Sequence, residues 1–159
     1  MNKVYLYIFL FLLMSNFCFS QSKKEVKKNG IKSSTITDIE NGKTLNNKKT
    51  IFDKNGEIIE ETNYNKEGTV KSITKYKLNK DGDVIEESEY DAKTGHNEKR
   101  VYKYNLMGEK SEEQVYDENG KLIKTNYYTY DAKGLKIERK TVDATGKVIS
   151  IRKFSYEFK

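Results

Sequence analysis

The sequence predicts an all-β chain: an antiparallel β-meander of about ten strands, built from 26-residue double-hairpin repeats into a thin sheet, twisted or partly rolled. Three observations carry that reading. Glycines fall on a ruler, Asp or Asn stands three residues before most of them, and the segments between are rich in Tyr, Ile, Val and Thr without a helical period. Neither Pro nor Trp occurs, whereas Tyr is abundant with 12 copies.

The first 20 residues are a different kind of element. Met1-Asn2-Lys3 is followed by an apolar run from Val4 to Met14 and a small, polar stretch to Ser20. One early positive charge, a short apolar core and small residues before Gln21 match a secretory signal peptide over residues 1–20. The core is shorter than the roughly 20 apolar residues a membrane span requires, so no transmembrane span is expected in the mature chain. Cys18 raises lipid anchoring, but bulky Phe17 fills a slot that a lipoprotein signal keeps small. Cleavage after Ser20 is expected, with export across the inner membrane to the periplasm or cell exterior.

The remaining chain has no cysteine, so it must hold itself together by packing and backbone pairing alone. Its charge is lopsided. Nine lysines face four acids between Gln21 and Lys54, whereas basic and acidic residues balance from Asn55 onward. Residues 21–29, with Lys23, Lys24, Lys27 and Lys28, read as a solvated basic leader rather than as a contact for acidic glycans, headgroups or nucleic acid. No nucleic-acid partner is expected.

Residues 30–159 are the repeat domain. Gly30, Gly56, Gly82, Gly108 and Gly134 are each 26 residues apart. Gly42, Gly68, Gly120 and Gly146 keep the same period, with Gly95 one residue late and Thr94 in its slot. The turns read Phe52-Asp-Lys-Asn-Gly56, Tyr64-Asn-Lys-Glu-Gly68, Leu78-Asn-Lys-Asp-Gly82, Tyr104-Asn-Leu-Met-Gly108, Tyr116-Asp-Glu-Asn-Gly120, Tyr130-Asp-Ala-Lys-Gly134 and Val142-Asp-Ala-Thr-Gly146. Asp or Asn hydrogen-bonds the backbone ahead of it, and Gly accepts positive φ, which gives a type I turn closing in a glycine bulge. In that register Phe52 faces Ile58, Tyr64 faces Val70, Leu78 faces Val84, Tyr116 faces Leu122 and Val142 faces Val148. Tyr104 and Tyr130 face Lys110 and Lys136, whose stems are suited to lie along those rings.

The longer strands end in a second mark: Tyr76-Lys-Leu78-Asn, Tyr102-Lys-Tyr104-Asn, Tyr128-Thr-Tyr130-Asp and Phe154-Ser-Tyr156-Glu. Tyr-x-Tyr-Asp-x-x-Gly resembles the YD repeats of the Rhs family, best over Tyr128 to Tyr156, well from Phe52 to Asn126, and as a worn copy from Val26 to Asn41. Less closely, Asn119-Gly120-Lys121 resembles the phrasing of variant MORN-type repeats of small bacterial proteins. The resemblance implies a wound β fold and secretion, with too few repeats to enclose a toxin as large Rhs shells do. It also implies a link to a toxin or immunity locus as an alternative setting.

Chemistry is sparse. His96 is the sole histidine and sits beside the slipped turn Thr94-Gly95-His96, where a variable turn residue is expected. Without Cys, no His/Cys metal site or Cys nucleophile is expected, and no cofactor either. Glu60-Glu61, Glu86-Glu87 and Glu112-Glu113 recur every 26 residues, but neighbours in a strand point to opposite faces and do not converge as a glycosidase pair must. Exposed pairing with cross-strand Lys is expected instead. Asp53-Lys-Asn55-Gly56 and Asn79-Lys-Asp81-Gly82 look like fragments of calcium loops yet offer two oxygens each, which turn geometry already explains.

The aromatic column Tyr76, Tyr102, Tyr128 and Phe154, with Tyr104 and Tyr130 beside it, is the candidate ligand face for a protein or glycan, against the plainer expectation of mutual packing. Gly56, Gly68, Gly82, Gly108, Gly120, Gly134 and Gly146 are expected to be structural turn residues. Exposed strand edges open a route to self-association. The expected role is that of a secreted, non-enzymatic β-repeat protein, a binding or structural module of the cell envelope or exterior.

Overall fold

The computed structural model describes residues 22–159, so the signal peptide and Cys18 lie outside the described residues. A short helix, α1 (Lys23–Asn29), precedes ten strands. These are β1 (Ser33–Glu40), β2 (Lys43–Phe52), β3 (Ile58–Tyr64), β4 (Val70–Leu78), β5 (Val84–Asp91), β6 (Asn97–Tyr104), β7 (Lys110–Tyr116), β8 (Leu122–Tyr130), β9 (Lys136–Asp143) and β10 (Val148–Lys153). They form one antiparallel sheet in strict sequence order, open at β1 and β10 rather than closed into a barrel. The substantial contacts all run between strands that are neighbours in sequence. Ten strands at about 4.8 Å spacing make a sheet about 48 Å wide.

The turns dictate this order. In all seven regular turns, from Asp53 to Asp143, the side-chain oxygen of the leading Asp or Asn accepts the backbone N–H groups two and four residues ahead, at 2.8 to 3.1 Å. Each glycine N–H returns to the carbonyl of that leading residue, and each glycine has positive φ. A three-residue loop closed by a glycine bulge results. All seven cross-strand pairs read from the sequence are present, from Phe52↔Ile58 to Val142↔Val148.

A second irregularity follows every regular turn. The register steps by one immediately beyond each closing pair, leaving one extra residue three positions after the glycine: Ile59, Lys71, Ile85, Ser111, Ile123, Ile137 or Ile149. Such bulges increase the right-handed twist and bend the strand. The shift of β1–β2 lies mid-strand, between Ile36 and Thr37. The β5–β6 pair alone has no register shift and runs in one register from Glu86↔Val101 to Tyr90↔Asn97. Its loop is one residue longer, with the Gly95 N–H reaching Asp91 O at 2.8 Å. The late glycine is therefore not a defect in the period. The extra residue has moved from the strand into the turn, and the pairing beyond it, Glu89↔Glu98, is the one the repeat demands.

The N-terminal segment departs from the sequence expectation. Residues 21–29 are not simply a solvated leader, because Lys23–Asn29 is a helix whose Val26 is only 1% exposed. Ser22 and Glu25 form a reciprocal capping box, and Gly30 ends the helix in the left-handed conformation at φ 61°. Gly30 thus keeps the backbone requirement of the glycine ruler but closes a helix instead of a hairpin. Gly42 differs too: Asn41 (φ 52°) and Gly42 (φ 75°) make a two-residue turn of the type I′ class.

The helix docks on the turn between β2 and β3. A Cβ placed on Gly56 would lie 2.6 Å from the Lys23 carbonyl oxygen, whereas one on Gly120 would meet nothing within 4 Å. Both glycines need positive φ, at 81° and 76°, which costs an L-residue about 1–2 kcal/mol. Gly120→Ala is therefore expected to lower stability by about that amount, and Gly120→Val by more. Gly56→Ala is expected to cost more than Gly120→Ala and to expose α1 to proteolysis. Equal melting temperatures for the two alanine variants would refute the docking of α1 on that turn.

Candidate functional site

The buried hydrophobic residues among those described are Val26, Tyr102, Val115 and Val142. Buried polar residues outnumber them, with Thr50, Thr62, Thr74, Glu113, Thr125, Asn126 and Thr141 all at or below 8% exposure. A sheet with so little apolar interior must satisfy its polar groups internally. The aromatic column does this.

The Tyr76 hydroxyl donates to Glu61 Oε2 at 3.3 Å, Tyr102 to Glu87 Oε2 at 2.8 Å, and Tyr128 to Glu113 Oε2. Each tyrosine reaches back to the preceding strand. Each also lies directly opposite the next residue of the same series: Tyr76↔Glu87, Tyr102↔Glu113 and Tyr128↔Arg139. Tyrosines and carboxylates therefore alternate in one line across β3 to β8. The companion column ties hydroxyl to backbone: Tyr104 to Val84 O at 2.7 Å, Tyr130 to Lys110 O at 2.8 Å, and Tyr156 to Lys136 O at 2.8 Å. Lys110 and Lys136 do pack on aromatic rings, but on Tyr102 (3.5 Å to the centroid) and Tyr128 (4.5 Å) rather than on Tyr104 and Tyr130.

The paired acids differ by face, although Glu61 takes both a tyrosine hydroxyl and a cross-strand lysine, Lys48 Nζ at 2.5 Å. Glu112 pairs with Lys103 Nζ at 3.0 Å and Glu60 with Lys75 Nζ at 3.7 Å, the cross-strand lysine pairing the sequence suggested. Glu61, Glu87 and Glu113 lie on the opposite face, under the tyrosine hydroxyls. Glu113 is 8% exposed, so full exposure of these acids is corrected. Burial pushes the Glu113 carboxyl up, but hydrogen bonds from Tyr128 and Asn126, with Arg100 and Lys110 nearby, outweigh it and hold the group below its ordinary value. Burial first, and then the neighbouring carboxylates, raise Tyr76 to about 12 and Tyr102 and Tyr128 further still.

The series ends in two coordinated changes. The fourth period places Arg139 where the others have Glu61, Glu87 and Glu113, and Phe154 where the others have Tyr. Arg139 Nε is buried without a hydrogen-bond partner, and Arg152 stands directly opposite Arg139. The sequence reading placed Phe154 in the column but missed Arg139. The same 26-residue period marks both.

Two hollows flank the sheet. His96 Nδ1 meets Glu118 Oε2 at 2.9 Å across adjacent turns, beside a hollow of about 290 Å3 that also borders Glu98, Asp117 and Ile123. Another, of about 560 Å3, lies between α1 and the start of the sheet, lined by Val26, Ile31, Ile51 and Phe52 with Lys27, Lys32 and Lys54. Among the described residues, no three His, Cys, Asp or Glu side chains are grouped to hold a metal ion, and Asp53 Oδ1 is occupied by the N–H groups of Asn55 and Glu57.

No family model matches the chain, and no curated protein matches it. Among solved structures, it is similar to a protein of unknown function from Bacteroides fragilis, at 16% identity and a TM-score of 0.36, covering 80% of this chain and 95% of that one.

Removing one hydroxyl from the line isolates its value. Tyr128→Phe is expected to destabilise the protein by about 1.5–3 kcal/mol, the range for a hydrogen bond to a charged group. The pH dependence has two limbs. Glu113, held below its ordinary value of 4.5, supports folding above that pH and ceases to as pH falls through its folded pKa. The tyrosines, raised above 10.0, support folding below that pH and cease to as pH rises. Glu113→Gln is expected to flatten the acid limb of a melting-temperature profile and leave the alkaline fall from Tyr76 and Tyr102. An unchanged acid limb would mean that ionised Glu113 does not support the fold.

Proposed function

We propose that the chain is an exported, non-enzymatic β-repeat protein that acts as a binding or structural module in the cell envelope or exterior. The observation that supports this reading is the single sheet itself. Its polar side chains are spent on one another in a periodic line, and neither face is covered by a second layer of the described residues. Strand length and number go into breadth of surface rather than into an enclosed cleft. A broad, rigid, polar surface suits recognition of a protein or glycan, and its rigidity comes from the tyrosine ties. The apolar run from Val4 to Met14 supports export.

Cell fractionation and binding test the reading together. Cells expressing the full chain are expected to yield a protein shortened by the leader in the periplasm or medium, and that protein is expected to bind envelope material saturably. Full-length protein retained in the cytoplasm, or no saturable binding to envelope protein or glycan, would overturn it.

A further inference from the structure

The repeat supplies its own reference for what is missing at β10. Thr74, Arg100, Asn126 and Arg152 occupy one repeat position on successive even-numbered strands. Across from them stand Glu61, Glu87, Glu113 and Arg139. Three copies therefore place a carboxylate opposite a polar or cationic partner. The fourth places guanidinium against guanidinium, an arrangement that destabilises a strand pair.

Arg100 shows how an arginine at this position is normally satisfied. Its guanidinium meets Glu98 Oε1 at 2.5 Å within its own strand and Glu113 Oε1 at 3.8 Å on β7, the strand that follows. Arg152 holds the equivalent place two periods later. Among the described residues it has no ion-pair partner, and no strand lies on the far side of β10. All six residues of β10 are exposed, Val148, Ile149 and Ile151 among them. Arg139 Nε nearby is buried and unpartnered.

Building on the binding-module reading, we propose that the free edge of β10 takes an extended acidic segment of a partner protein, added as an eleventh antiparallel strand. The partner's carboxylate meets Arg152 as Glu113 meets Arg100, and it offsets the like-charge pair with Arg139. The strands that occupy the corresponding side of β2, β4 and β6 show the required chemistry: β3, β5 and β7 each carry a Glu-Glu pair. A second copy of this chain is a poor occupant. Its open edge strand β1 carries Thr35 at the repeat position where β3, β5 and β7 carry Glu61, Glu87 and Glu113.

The probe is a labelled synthetic peptide of residues 82–92, this chain's own β5 sequence, titrated into the purified protein and followed by fluorescence anisotropy. Saturable binding is expected, weakened at least tenfold by Glu87→Gln in the peptide and abolished by Ser88→Pro, which removes a ladder N–H. In the protein, Arg152→Gln is expected to weaken peptide binding similarly without lowering the melting temperature, since it removes a like-charge pair. Arg139→Gln serves as a second variant should Arg152→Gln fold poorly. No saturable binding, equal binding of the Glu87→Gln peptide, full competition by millimolar phosphate with no effect of Ser88→Pro, or occlusion of β10 by self-association would each overturn the proposal. Peptide binding that fails while envelope binding persists defeats this docking site alone. Loss of export and of all envelope binding defeats the module reading.

Discussion

Among the described residues, the single sheet has no second layer to bury against, and that constraint shapes the rest of the fold. The hydrophobic effect, which supplies the main driving force in most domains, acts on apolar area removed from water. Here the buried hydrophobic residues are few, and one of them, Tyr102, owes its place as much to its hydroxyl as to its ring. Each strand is held by its neighbours alone, so the interactions that matter are cross-strand. They are the backbone ladder, the aromatic and aliphatic pairs beside each turn, and the line of tyrosine hydroxyls on carboxylates. The line costs little in conformational freedom, because a tyrosine has few rotatable bonds and the pleat already aims it along the sheet.

Quasi-one-dimensional architecture follows from the same constraint. Because contacts are local, a change in one period is felt by its neighbours and not by the whole. The β5–β6 hairpin shows how such a change is absorbed. An added loop residue and a lost bulge cancel, so the tyrosine line passes through β5 and β6 without a step. His96, beside that longer loop, ends up bridging to Glu118 in the next turn on the same edge. The turn edge and the sheet face are thereby decoupled: the one varies while the other keeps its register.

Most of the fold was legible because glycine and Asx residues act at fixed offsets. A turn that demands positive φ at one position and a side-chain acceptor three residues earlier leaves a mark that packing cannot disguise. The pairs Phe52↔Ile58 and Val142↔Val148 could be read off for that reason. The bulges could not: five of the seven extra residues are Ile, but an Ile three residues after a turn glycine reads as an ordinary strand residue. Helix α1 was missed although its signals were present: Ser22 and Glu25 have capping-box spacing, and Gly30 suits a helix end. The glycine ruler counts Gly30 as the start of the repeat domain, and a helix end needs the same positive φ there as a hairpin glycine. In the site, the tyrosines were visible and their partners were not. Glu61, Glu87 and Glu113 were read as members of adjacent acid pairs, whereas their chemistry lies 15 residues ahead, across a turn.

In this sheet, tyrosine–carboxylate ties take the place of a core. A double-mutant cycle on Tyr128 and Glu113, using Tyr128→Phe, Glu113→Gln and the double variant, tests this most directly. A coupling free energy of at least about 1 kcal/mol is expected, well beyond the roughly 0.3–0.5 kcal/mol within which independent sites add. Additive losses would contradict it, and would mean that the sheet is held by its ladder and its turns alone.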